Sequence, residues 1–241
     1  MKMTYEKKQI LLLIGFFIVA VVLWNTPFIY PIKIFVVMLH ELSHGLMAIL
    51  FGGSIVEIQI DSRIGGYCKF TFSGSSFARF WIASAGYLGS LIWGGIILLT
   101  AAKTKKDHYI SLAIGILSVF IGWFVIKTGE LFGIVFVFGF AAVMIASSIF
   151  IRKGNFHDYF TKFIGFVSCL YVLLDIKSDL IDRTGIGSDA DTIAKLTGIP
   201  SILVGIFWGL VAIGLLGLFL FKAYKISQNN KEGGSSVSSA E

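Results

Sequence analysis

Charge is scarce in this chain. Asp, Glu, Lys and Arg make up 14% of its 241 residues, against 56% hydrophobic. A soluble domain carries about a quarter charged residues, so the composition excludes a free-standing soluble enzyme. No stretch outside the apolar runs is long enough to fold alone. Cysteine is scarcer still: Cys68 and Cys169 stand far apart in no ligand spacing and demand neither a disulfide nor a metal. The apolar run after Lys7 and Lys8 lacks a small-x-small cleavage site, which argues for a retained first span rather than a signal peptide. The net charge is +6, but Lys and Arg lie mostly at the ends of apolar runs. That is the placement of headgroup anchors and topology signals, and it excludes a nucleic-acid surface.

What the chain does have is apolar runs of membrane-spanning length. The pattern predicts spans over 10–30, 32–51, 77–101, 109–126, 131–151 and 200–221. A further helix over 156–182 starts amphipathic and carries Asp175, Asp179 and Asp182 near its end. A short helix over 189–197 follows; Ser188 and Asp191 have capping-box spacing, and Gly198 stops it. Between the second and third spans the period changes. Val56, Ile58 and Ile60 alternate with polar neighbours, Cys68, Phe70 and Phe72 do the same, and residues 63–66 supply a turn: a β-hairpin. Small residues recur at helix spacing, Ala83, Gly86, Ser90 and Gly94, then Gly115, Ser118 and Gly122, as in closely packed membrane helices. The fold expected is an all-α polytopic membrane protein of about six or seven transmembrane helices with a small β-hairpin. It forms one domain over 1–226 and a disordered polar tail over 227–241, sits in the lipid bilayer of the cell membrane, and binds no nucleic acid.

The second span holds the chemistry. It contains H-E-L-S-H, with His40 and His44 four apart and therefore on one helix face, and Glu41 beside them. This is the pattern of two zinc ligands and a general base. Ionisable groups in mid-span are costly and mark function, and two of the chain's four histidines fall there. Zinc catalysis needs a third protein ligand. Asp175 and Asp179 share a face near the end of the sixth predicted helix; Asp175, the deeper, is expected as ligand with Asp179 as the alternative, the other orienting a ligand or capping the helix. The hairpin is either a structural connector or an edge strand that pairs with an extended substrate.

These residues carry a resemblance. H-E-L-S-H in a span, the Gly52-Gly53 hairpin after it, A-G-Y-L-G-S at 85–90, and the segment from Tyr171 through Asp175 and Asp179 to Ser188-Asp189-Ala190 and Thr197-Gly-Ile-Pro200 resemble site-2-protease-type intramembrane zinc metallopeptidases, in their compact M50B-like branch. The resemblance covers about residues 30–210. It implies zinc held by His40, His44 and an aspartate, Glu41 as base, Gly86 and Ser90 positioning substrate, and transmembrane proteins as substrates. The chain departs from the family pattern at Tyr87 and Ser90, where Pro and Asn are usual, and it lacks the Leu-Asp-Gly motif and a PDZ-like domain. The competing expectation is an inactive metal-binding membrane protein, or a transporter, on the same scaffold.

Overall fold

A computed structural model describes residues 5–152, 154–181 and 187–237. Helices dominate it, because an apolar run in lipid must satisfy its own backbone polar groups. In chain order they are α1 (Tyr5–Leu23), α2 (Tyr30–Leu50), α3 (Ser76–Lys103), α4 (His108–Val125), α5 (Leu131–Phe150), α6 (Phe156–Ile181), α7 (Asp189–Thr197) and α8 (Ser201–Val237). A two-stranded antiparallel sheet, β1 (Ser54–Ile60) and β2 (Gly66–Thr71), lies between α2 and α3. Six helices are long and apolar enough to cross a membrane: α2, α3, α4 with its 3-10 extension, α5, α6 and α8. α1 adds a shorter apolar stretch, Leu11–Leu23. The protein is a multi-pass membrane protein with the expected helical fold and hairpin.

α2 is the centre. In its membrane-length window 78% of residues are buried inside the protein, against 22% for α8. A helix enclosed on all sides can be apolar over most of its surface, and the polar residues of α2, from Lys33 to His44, are then inside the protein. Pro31 fits near its start, where no backbone N–H is needed. Gly52, at φ 85°, ends it in the left-handed region, and the Gly53 N–H donates to Ala48 O at 2.8 Å. α3 lies along α2 on one side, and α6 packs on α3. The α3–α6 approach is backbone-close: a Cβ on Gly94 would lie 2.9 Å from Gly165 O, and one on Gly165 would lie 2.8 Å from Gly94 O. The small-residue seam thus brings the far end of α6 beside the middle of α2.

The hairpin keeps its apolar face by a shift of register. A bulge between Ile55 and Glu57 lets Ile55, not Val56, join Ile58 and Ile60 on the buried side. Gly45, directly after His44, makes room: a Cβ there would meet Ile55 Cδ1 at 2.5 Å and Cys68 Sγ at 3.0 Å. The hairpin's turn is held by Asp61, whose Oδ1 accepts from the Arg63 N–H at 2.7 Å and the Gly65 N–H at 3.2 Å.

Two boundaries and one face differ from expectation. The first span ends at Leu23, not 30, because Thr26 turns the chain by donating its hydroxyl to Leu23 O at 2.6 Å ahead of Pro27. The hairpin's buried face is the bulge-shifted one. α8 continues past Ser227, where a disordered tail is expected, to Val237; a long helix already nucleated propagates through polar residues at little cost. Of the residues singled out in the sequence, Asp182 lies outside the described residues, as does 238–241 of the tail.

Candidate metal centre

His40 and His44 project from the middle of α2 toward α3 and α7. Their rings stand 4.8 Å apart between centroids at an interplanar angle of 70°. Each has one nitrogen engaged by a neighbour. His44 Nδ1–H donates to Ile82 O of α3 at 2.7 Å. His40 Nδ1 faces Asp175 Oδ2 of α6 at 3.3 Å. In the tautomer that carries its hydrogen on Nδ1, each ring presents an Nε2 lone pair.

Both Nε2 atoms face the same oxygen. Asp189 Oδ2 lies 3.0 Å from His40 Nε2 and 3.2 Å from His44 Nε2. His40, His44 and Asp189 each offer one ligand atom within 4.8 Å of the others. Asp189 is brought there by the local sequence of α7. Ser188 caps that helix by accepting from the Asp191 N–H at 3.2 Å, and Asp191 Oδ1 accepts from the Ser201 hydroxyl at 2.8 Å. The capped turn aims Asp189, the first residue of the helix, into the cavity. A carboxylate is at home at a helix N-terminus.

The residues present fit a metal ion. Three electron-pair donors converge with edges of 3.0 and 3.2 Å, close to the roughly 3.3 Å edge of a tetrahedron whose ligands stand about 2.0–2.1 Å from zinc. The backbone leaves room beside them. A Cβ on Gly86 would lie 2.3 Å from His40 Nε2 and 2.5 Å from His44 Nε2, so any side chain there would fill the space that both nitrogens face.

Around this centre is a cavity of about 520 Å³. Glu41 lines it, one residue on from His40 and buried. Its side chain runs toward the start of β2, where a Cβ on Gly66 would meet Glu41 Cγ at 3.2 Å. Tyr67, Cys68 and Phe70 of β2 also line the cavity. β2 pairs with β1 along one edge, and the described residues place no strand along the other. Burial and the Glu41 carboxylate push the Cys68 thiol up to about 12.

The acids expected at the third ligand position have other places. Asp175 reaches His40 on the nitrogen remote from Asp189, as an orienting carboxylate does. Asp179, the alternative, accepts a hydrogen bond from the Tyr87 hydroxyl. The acid that groups with both Nε2 atoms is Asp189, at the start of α7, while Asp175 of α6 lies on the Nδ1 side of His40. The cue in the sequence was the Ser188–Asp191 cap, which placed an acid in the first turn of a short helix in a charge-poor chain. Gly86 is against both histidines. Ser90 is buried and donates to Gly86 O at 2.8 Å within its own helix, away from the cavity wall. The tyrosine at 87 fills the position of the family's proline with a group that holds Asp179. His157 stands at the head of α6, the opposite end from Asp175 and Asp179, where Ser111 Oγ lies 2.7 Å from its Nδ1, and Cys169 is free and buried.

A comparison with known protein families matches residues 13–219 to the Peptidase M50B-like family. No curated protein and no solved structure matches the chain.

Proposed function

The chain belongs to the Peptidase M50B-like family, and from that premise we propose that it is a zinc-dependent intramembrane protease that hydrolyses peptide bonds within or near transmembrane segments of protein substrates. The observation that carries the proposal is the convergence of His40, His44 and Asp189 on one point in a membrane-embedded cavity lined by Glu41. His40, His44 and Asp189 would hold the ion. Zinc there would polarise the scissile carbonyl and acidify water.

The protein's own groups do the rest. Asp175 and Ile82 O set the tautomer and tilt of the two rings. Glu41 takes the proton of the attacking water and delivers it to the leaving amine. A transmembrane substrate arrives helical, with its peptide bonds shielded. The free edge of β2 offers backbone partners to an unwound segment and holds it extended past Glu41. Enclosure of the cavity by α2, α3, α6 and α7 strengthens each of these interactions by excluding bulk water.

The test is cleavage of co-expressed single-span substrates by wild type and by Glu41→Gln. Gln keeps the shape but cannot accept the proton, so cleavage should fall by about 10²- to 10⁴-fold while zinc content stays at the wild-type level. Equal cleavage by both would sink the proposal, and zinc-free purified protein would remove its metal.

A further inference from the structure

A second cavity, of about 590 Å³, adjoins the first; Ile64, Gly65, Tyr171 and Asp175 line both. Its character is different. Lys33, Arg63 and Lys177 all line it. Lys33 is the unusual member: it lies on a membrane-spanning helix and is only 8% exposed. Its Nζ sits over the Trp24 ring at 4.4 Å. Among the described residues no carboxylate forms an ion pair with it. The two acids on the cavity wall are otherwise engaged, Asp61 by the backbone of its own turn and Asp175 by His40. A buried ammonium without a counter-ion is costly, and here it faces a cavity large enough to admit one.

The position of the cavity says where that counter-ion would come from. Lys33, Val37, His40 and His44 lie along one face of α2, and Val37 lines the catalytic cavity. Seven residues of helix separate Lys33 from His40, about 10 Å at 1.5 Å per residue. An extended chain covers that distance in about three residues. A substrate strand running along β2 from Glu41 toward the hairpin turn passes the shared wall at Ile64 and Gly65 and comes to Lys33.

We propose that this second cavity is a specificity subsite, in which Lys33, backed by Arg63 and Lys177, receives an acidic side chain of the substrate about three residues from the scissile bond. The inference rests on the protease reading for the nature of the ligand and adds which residue type, and where, the enzyme selects. Trp24 would hold the ammonium in place until the carboxylate arrives, and the cation–π contact is compatible with a simultaneous ion pair because the ring occupies only one side of it.

Two arms test it. In the first, single-span substrates carrying Glu, Gln or Lys at each position from two to five residues on either side of the cleavage site are digested by the full-length protein in nanodiscs. Glu should be preferred over Lys by about 10- to 100-fold at one position near the third. Lys33→Met should reduce that preference to within about threefold, and Lys33→Arg should keep it. In the second arm, binding of the fluorescent Glu and Gln peptides to Glu41→Gln protein is followed by anisotropy, which needs no hydrolysis; the Glu peptide should bind more tightly, and Lys33→Met should abolish the difference. If Lys33→Met does not accumulate, Lys177→Met should shrink the difference in part. Cleavage with no positional acid preference overturns the subsite and leaves the protease reading standing. No cleavage of any substrate ends the protease reading, while the binding arm still decides the subsite. Both arms are run in phosphatidylcholine and phosphatidylglycerol. If Lys33→Met removes a phosphatidylglycerol effect and leaves the Glu preference intact, the occupant is a lipid phosphate and the inference is wrong.

Discussion

Gly86→Ala should abolish high-affinity zinc binding, although it adds a single methyl to a helix. The added Cβ would lie 2.3 Å from His40 Nε2 and 2.5 Å from His44 Nε2. Ordinary contact begins near 3.4 Å, so about 1 Å must be found. The rings cannot swing away cheaply, because Asp175 holds Nδ1 of one and Ile82 O holds Nδ1 of the other. Nor can α3 withdraw easily, since Gly89 is packed against Ser43 on the same face. Zinc sites tolerate about ±0.2 Å in ligand distance. A displacement of that order of ångström costs about 100-fold in a well-oriented reaction, and overpacking costs about 1–3 kcal/mol of stability in its own right. We expect zinc affinity, measured by competition with a chromogenic chelator, to fall at least about 100-fold, by analogy with losses of 10- to 100-fold from changes one shell further out. Gly209→Ala is the control: nothing lies within 4 Å of a Cβ there, and it should bind zinc as wild type does. If Gly86→Ala binds zinc within twofold of wild type, the two Nε2 atoms do not face the metal position across Gly86, and the geometry assigned to the centre is refuted.

The two aspartates near the histidines should separate in the same assay. Asp189→Asn removes a charged ligand and should cost more zinc affinity than Asp175→Asn, which removes an orienting partner worth about 10- to 100-fold; the reverse order would return Asp175 to the ligand position. The folded state should also respond to pH through Asp107, at the head of α4. Burial, then the charge of Asp158, raise its carboxyl to about 6 from an ordinary 3.8. A carboxyl raised on folding favours the folded state below its unfolded value and loses that contribution as pH rises. Thermal stability in detergent should therefore decline as pH rises from about 4 through about 6, and Asp107→Asn should flatten that slope; an unchanged slope would assign it to other groups.

Much of the fold could be read from the chain because lipid leaves few choices. An apolar run of twenty residues must be a helix, and the spans at α2 to α6 and α8 follow from composition and length. The change of period from Val56 marked the hairpin, and Ser188 with Gly198 marked both ends of α7. The bulge was not legible, since Ile55 and Val56 are equally apolar and only the packing of Ile55 against Gly45 chooses between them. The far end of α8 was not legible beyond the predicted span end at 221, since Gly and Ser weaken a helix locally while a long nucleated helix can carry through them.

The same division runs through the site. The sequence by itself determined His40, Glu41 and His44 as a set, because their spacing makes them neighbours on one helix whatever the rest of the chain does. Which acid completes that set depends on residues roughly 135 to 150 positions away, and no local pattern ranks Asp175, Asp179 and Asp189. Tertiary structure groups Asp189 with the two histidines. Gly94 and Gly165 draw α6 against α3, which puts Asp175 behind His40 and Asp179 on Tyr87, and the capped start of α7 then brings Asp189 to the open side of both imidazoles. Helix periodicity is a local rule and can be read from residues four apart; the convergence of three helices on one point is a product of packing and appears only when they are packed.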